Sequence, residues 1–84
     1  MNRRGRSKQA VQQAENLTRV YTYVRDYILE FGYSPSLMDI AEACYLSRGS
    51  VVRYLDILVA RGKLNREPGV PRSIHLLDED GHRL

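Results

Sequence analysis

The 84-residue sequence predicts a mostly α-helical domain of three successive helices, closed by a C-terminal two-stranded β-ribbon. Three observations predict it. Leu17, Val20, Tyr21, Val24, Ile28 and Phe31 recur at i, i+3, i+4, i+7 spacing and form one long apolar stripe. Two shorter stripes follow, Leu37–Cys44 and Val51–Leu58, separated only by a tight turn. After Gly62 the period changes from helical to alternating.

The first helix runs through the Leu17–Phe31 stripe and stops at Gly32. Gln9–Asn16 is rich in helix formers and extends it toward the N-terminus. Residues 1–8 are basic and polar, and are expected to form a disordered arm. Tyr33-Ser34-Pro35 is a connector, because the residue before proline avoids the helical region. Ser36 offers an N-cap with Asp39 three residues on, close to a capping box, and begins a second helix over about Leu37–Cys44. Ser47 is the next N-cap, for a third helix carrying Val51, Tyr54, Leu55 and Leu58 and ended by Gly62. Lys63–Arg66 is the first ribbon strand, Glu67–Pro71 the turn and Ser73–Leu76 the returning strand. Residues 78–84 form a short acidic tail, expected to fray. The folded domain is thus expected over residues 9–77, with a core that includes Val24, Ile28, Ile40, Val51, Leu55, Leu58 and Ile74.

A chain of this size is one small domain, with little room for a substrate cleft. The net charge is only +3, so its placement matters more than its size. Arg3, Arg4, Arg6 and Lys8 are basic without an acid among them, and Arg48, Arg53, Arg61, Lys63, Arg66 and Arg72 face only Asp56 and Glu67 across the middle. A phosphate-facing surface needs such a distribution, and so does an ordinary solvated one. Cys44 is the only cysteine, which rules out an intrachain disulfide and fits a reducing compartment. No signal peptide and no ~20-residue apolar span is present, so a soluble, cytoplasmic protein is expected. Cys44, His75 and His82 lack metal-ligand spacing, and there are no paired carboxylates, no glycine-rich phosphate loop and no nucleophile–base set. No enzyme, metal, cofactor or small-molecule effector is expected. The six tyrosines follow the spacing of a core and its edge rather than of a base-stacking platform.

The informative stretch is Ile40–Leu55, IAEACYLSRGSVVRYL. Two helices that cross steeply need a small residue where their axes approach, an apolar residue in the turn and another one turn into the second helix. Ala41, Leu46 and Val51 supply these, as in helix-turn-helix units. Tyr33–Leu77 resembles the winged helix-turn-helix domain of LexA-type repressors. GYSPSLMDIAEA is similar to that family's Gly-x-x-Pro-[Ser/Thr]-x-x-acid-Ile-Ala segment, VVRYLDILVARGKLNRE to its recognition helix and first wing strand, and PGVPRSIHLL to its wing. Tyr45 stands where these domains usually carry glycine, and the turn looks one residue shorter. Tyrosine tolerates a positive φ poorly, which predicts a turn of different shape. The 84 residues leave no room for the self-cleaving serine–lysine peptidase domain of such repressors, so self-cleavage and a damage response are not expected here.

The resemblance implies a sequence-specific regulator of transcription, a repressor, that binds double-stranded DNA. Arg48, Ser50, Val52 and Arg53 lie off the apolar stripe near the start of the third helix and match groove-facing positions. Arginine can bond guanine in bidentate fashion, serine can donate to bases or phosphates, and valine can touch a thymine methyl. Ser47 is an N-cap, with a phosphate contact as a further role. Gly49, in the first helical turn, marks either close approach of DNA or of another helix, or simply a tolerated turn residue. Arg66 and Arg72 flank the wing as candidate DNA contacts; Arg72, not needed for a core, is expected to enter a minor groove or clamp a phosphate, or else to be a solvated ribbon charge. Arg3, Arg4 and Arg6 are expected either to follow a minor groove as an arm or simply to aid solubility. So small a module calls for a homodimer on an inverted repeat, or a partner protein, with the Ala10, Val11, Ala14 face of the first helix as one dimer surface. The rival reading is a winged-helix protein-interaction module or accessory factor in a nucleoprotein assembly.

Overall fold

A computed structural model describes the backbone from residue 3 and the side chains from residue 9 to the C-terminus. Helix α1 (Arg3–Phe31) buries Leu17, Val20 and Val24 against two shorter helices, α2 (Leu37–Cys44) and α3 (Arg48–Ala60). Strands β1 (Leu64–Asn65) and β2 (His75–Leu76) pair antiparallel, with Leu64 opposite Leu76 and Asn65 opposite His75. The three helices pack on one another, and β1 packs on α3. One core joins them all: Val20, Val24, Ile40, Cys44, Val51, Tyr54, Leu55, Leu58, Leu64, Ile74 and Leu76 are buried.

The caps set the lengths of α2 and α3. Ser36 Oγ accepts the Asp39 amide at 3.0 Å, and Asp39 Oδ2 accepts the Ser36 amide at 3.0 Å, a complete capping box with Asp in the acidic position. Ser47 Oγ accepts the Ser50 amide at 3.1 Å and starts α3. Gly62, at φ 73°, ends α3: its amide bonds Val59 O and the Lys63 amide bonds Leu58 O, a Schellman closure that a residue with a Cβ would adopt only under strain.

Four expectations are corrected. The backbone of residues 3–8, expected as a disordered arm, continues α1, as the strong helix formers Arg3, Arg4, Arg6, Lys8, Gln9 and Ala10 favour despite Gly5. Phe31 leaves the core stripe and is 51% exposed, because α1 has by then passed the helices it packs on; its ring instead lies tilted against Tyr27, centroids 4.6 Å apart. The ribbon strands are two residues long rather than four, because side chains take over the backbone bonds: Asn65 Oδ1 accepts the Arg66 amide, and Ser73 Oγ bridges the amide and carbonyl of Glu67. Residues 78–84 fold back rather than fray. Asp78 Oδ1 accepts the amides of Asp80 and His82, Leu77 bridges to Arg83, and the Leu84 amide bonds Leu76 O at 3.0 Å.

The turn between α2 and α3 keeps the shape that glycine usually supplies. Tyr45 adopts φ 56°, ψ 46°, and both its amide and that of Leu46 reach Ala41 O. The side chain is 91% exposed, so no packing in the fold rewards this left-handed conformation. Tyr45→Gly is therefore expected to stabilise the domain by up to about 1 kcal/mol. Leu55 is fully buried at the centre of the core, and Leu55→Ala is expected to cost about 2–5 kcal/mol. Chemical denaturation of both variants checks the two signs; a neutral Leu55→Ala would remove α3 from the core.

Candidate nucleic-acid interface

Because Val51, Tyr54, Leu55 and Leu58 face inward, the opposite side of α3 carries Arg48, Gly49 and Arg53 into solvent, with Ser50 and Val52 half-buried beside them. The first turn of α3 contains no acid. Its cap is internal to the helix, since Ser47 Oγ accepts the Ser50 amide and donates to Ser50 Oγ at 3.0 Å. The positive end of the helix dipole and the amides of the first turn can face an anion. A Cβ added at Gly49 would meet nothing within 4 Å, so glycine here is not required by close packing inside the domain. It leaves the surface between Arg48 and Arg53 low enough for a partner to come close.

The two arginines of α3 diverge. Arg48 lines a groove of about 260 Å³ together with Met38 of α2 and Gly69, Val70 and Pro71 of the wing, so the start of α3 and the wing share one side of the molecule. Arg53 sits on the other flank, its guanidinium 5.5 Å from the Tyr54 ring centre and near Ala14 and Thr18 of α1.

Both wing arginines, expected at DNA or in solvent, make contacts within the domain. Arg66 is turned inward, its side chain 9% exposed, with Nη2 3.3 Å from Asp56 Oδ1 and Nε buried without a partner. Arg72 lies in the left-handed region, φ 53°, and reaches back to the helices. Its Nη1 donates to Ser34 O at 3.0 Å and to the Tyr27 hydroxyl at 3.3 Å, and its Nη2 pairs with Asp39 Oδ2 at 3.3 Å. The guanidinium also lies 5.6 Å from the Tyr33 ring centre. The hydrogen bond to Tyr27 holds the guanidinium in its charged form. A spacing of 45 residues between Arg72 and Tyr27 leaves no local signal of this contact in the sequence. The side chains of Arg3, Arg4 and Arg6 lie outside the described residues.

Cys44 is buried in the core, and burial pushes its thiol up, away from reactivity. Asp78, Asp80 and His82 bring one ligand atom each within 4.8 Å of one another, but on an exposed turn held by their own hydrogen bonds. Among the described residues, no helix is long and apolar enough to cross a membrane.

An α2–α3 pair joined by a tight turn, α1 packed on both and a short antiparallel ribbon beside the start of α3 define a winged helix-turn-helix domain. No protein-family model matches the chain. Its sequence is 35% identical over 63 residues to the LexA repressor of Herpetosiphon aurantiacus, 36% over 62 residues to that of Bacillus pumilus and 33% over 66 residues to that of Desulfitobacterium hafniense. These matches take in 74%, 73% and 77% of this chain but 29%, 30% and 32% of the relatives, so the chain spans about three tenths of their length. Over the matched segment its sequence is similar to these LexA repressors, and its fold is that of a winged helix-turn-helix domain.

The Asp39 carboxyl is held below its ordinary value of 3.8, first by the Ser36 amide and then by the Ser36 hydroxyl and Arg72. Because its pKa is lowered on folding, Asp39 stabilises the domain above its unfolded pKa, and that contribution is lost as pH falls through the lower folded value. Asp39→Asn is expected to destabilise near pH 7, and the deficit to shrink below about pH 4. Thermal unfolding of both proteins across that range checks this; a deficit independent of pH would place the effect outside the carboxylate charge.

Proposed function

We propose that this protein is a sequence-specific double-stranded DNA-binding repressor of transcription. The observation that carries the reading is that the acid-free, glycine-lowered first turn of α3 shares one groove with the wing. The relatives' designation as LexA repressors supports it. In this reading α3 enters the major groove, where Arg48 and Arg53 read base edges, Ser50 donates to a base or phosphate and Val52 touches a thymine methyl. The amides around Ser47, Arg48 and Gly49 take a backbone phosphate, and the wing tip at Val70 follows the adjacent groove. Arg66 and Arg72, engaged within the domain, drop from the list of direct contacts. Arg3, Arg4 and Arg6 remain proposed backbone contacts from the N-terminal end of α1.

A single module buries limited area on DNA, so we also propose that two copies bind an inverted repeat. The face of α1 with exposed Val11 and Ala14, which opens beside Ala43 of α2, is the proposed contact between them. The domain is expected to work among nucleic acid in the cytoplasm.

Selection of bound sequences from a random duplex library tests site, length and symmetry together. Arg48→Ala and Arg53→Ala are each expected to cost about 1–3 kcal/mol on the selected site and to relax preference at one base position. Wild-type affinity should fall steeply with salt, by about 0.9 log units per phosphate contact per log unit of salt. An unenriched library together with salt-independent binding would favour a protein-interaction module instead.

A further inference from the structure

The wing has almost no sheet to hold it. Two strands of two residues each support the chain between Arg66 and Ile74. Within that loop the bonds are local: Val70 N to Glu67 O, and Ser73 Oγ to Glu67. Such a loop would swing about its short base unless something else fixed it. What fixes it is the α1–α2 connector. Ser34, a buried polar residue, accepts the Ile74 amide on its Oγ at 3.3 Å and the Arg72 guanidinium on its carbonyl at 3.0 Å. The Tyr27 hydroxyl of α1 accepts from the same Nη1, Asp39 of α2 pairs with Nη2, and the Tyr33 ring lies beside the guanidinium.

We infer that Arg72 is a positioning residue, which pins the wing against the connector so that wing and α3 present one preset surface, and that it makes no phosphate contact itself. Three features point this way. Nη1 is directed at two oxygens of the domain, and Nη2 pairs with the Asp39 carboxylate, although the side chain stays 45% exposed. Its backbone is held at positive φ, a strained conformation for an arginine that persists only when surrounding contacts determine it. And the planar fork matches three separate acceptors, which the point charge of a lysine could not do. This inference rests on the DNA-binding reading for its role in recognition, but not for its geometry.

The test has one arm without DNA and one with it. In the free protein, Tyr27→Phe, which removes one acceptor and no charge, and Arg72→Lys, which keeps the charge and loses the fork, are both expected to lower hydrogen-exchange protection of the Ile74 amide while leaving that of Leu55 unchanged. On the selected duplex both variants should lose affinity, by about fivefold or more, with base preference weakened only at positions under the wing and with an unchanged salt slope. The double variant should lose no more than the worse single one, because both break the same pin. Arg72→Lys that binds as wild type, with Arg72→Ala flattening the salt slope by about one phosphate, would overturn the inference and restore Arg72 as a contact. Unchanged Ile74 protection in both variants would overturn it too. A wild type that binds no duplex would instead overturn the DNA-binding reading, and the exchange arm would still decide the pin.

Discussion

The structure depends on a short connector, Ser34–Asp39, that must begin one helix and seat the wing at once. Its carboxylate is shared: Asp39 Oδ2 accepts the Ser36 amide that closes the capping box and also faces the Arg72 guanidinium. Its serine is shared as well, since Ser34 accepts the Ile74 amide on its hydroxyl and Arg72 on its carbonyl. A buried polar residue is costly unless its partners are in place, and here the partners come from the opposite end of the chain. The connector therefore couples the start of α2 to the closure of the ribbon, two events that look independent in the order of the chain.

That arrangement leaves α3 free to serve as a surface. Its inner face is occupied by core residues and its N-terminus is capped by its own Ser47, so Arg48, Gly49 and Arg53 have no structural duty that requires them to turn inward. The charges that do have such duties lie under and behind the wing, at Arg66 and Arg72. Among the described residues, Arg48 and Arg53 of α3 are exposed and outside the ion pairs, as are Arg19, Arg61, Lys63 and Arg83 elsewhere on the surface. In general, arginines directed at base edges carry sequence information that contacts along the backbone do not.

The helices were legible in the sequence because their signals are local. The stripe from Leu17 to Ile28, the Ser36–Asp39 box and the Ser47 cap each lie within a few residues and act through the 3.6-residue period. The solvent-facing side of α3 was legible for the same reason: once Val51, Tyr54, Leu55 and Leu58 are buried, Arg48 and Arg53 must point out. The roles of Arg66 and Arg72 were not legible. A basic residue beside a turn looks the same whether it faces solvent or an acceptor on a helix far back along the chain, and here the acceptors are Tyr27, Ser34 and Asp39. The fold-back of residues 78–84 was hidden by its composition, because acids that usually signal a solvated tail serve here to accept backbone amides at Asp78. Tyr45 shows the opposite failure: a correct rule about positive φ was outweighed by the geometry of the turn, which the packing of α2 on α3 imposes whatever side chain stands there.

The same coupling constrains how such a domain can change. An exposed α3 residue can be exchanged at little structural cost, because its neighbours are solvent. A change at Ser34, Asp39 or Tyr27 acts at a distance, loosening the wing without touching the surface the wing presents. If α3 enters the major groove as proposed, recognition and stability are separable on α3 but joined at the connector: base preference would be altered by substitution at Arg48, Gly49, Ser50, Val52 and Arg53, and the relative placement of wing and helix by substitution at Tyr27, Ser34 and Asp39.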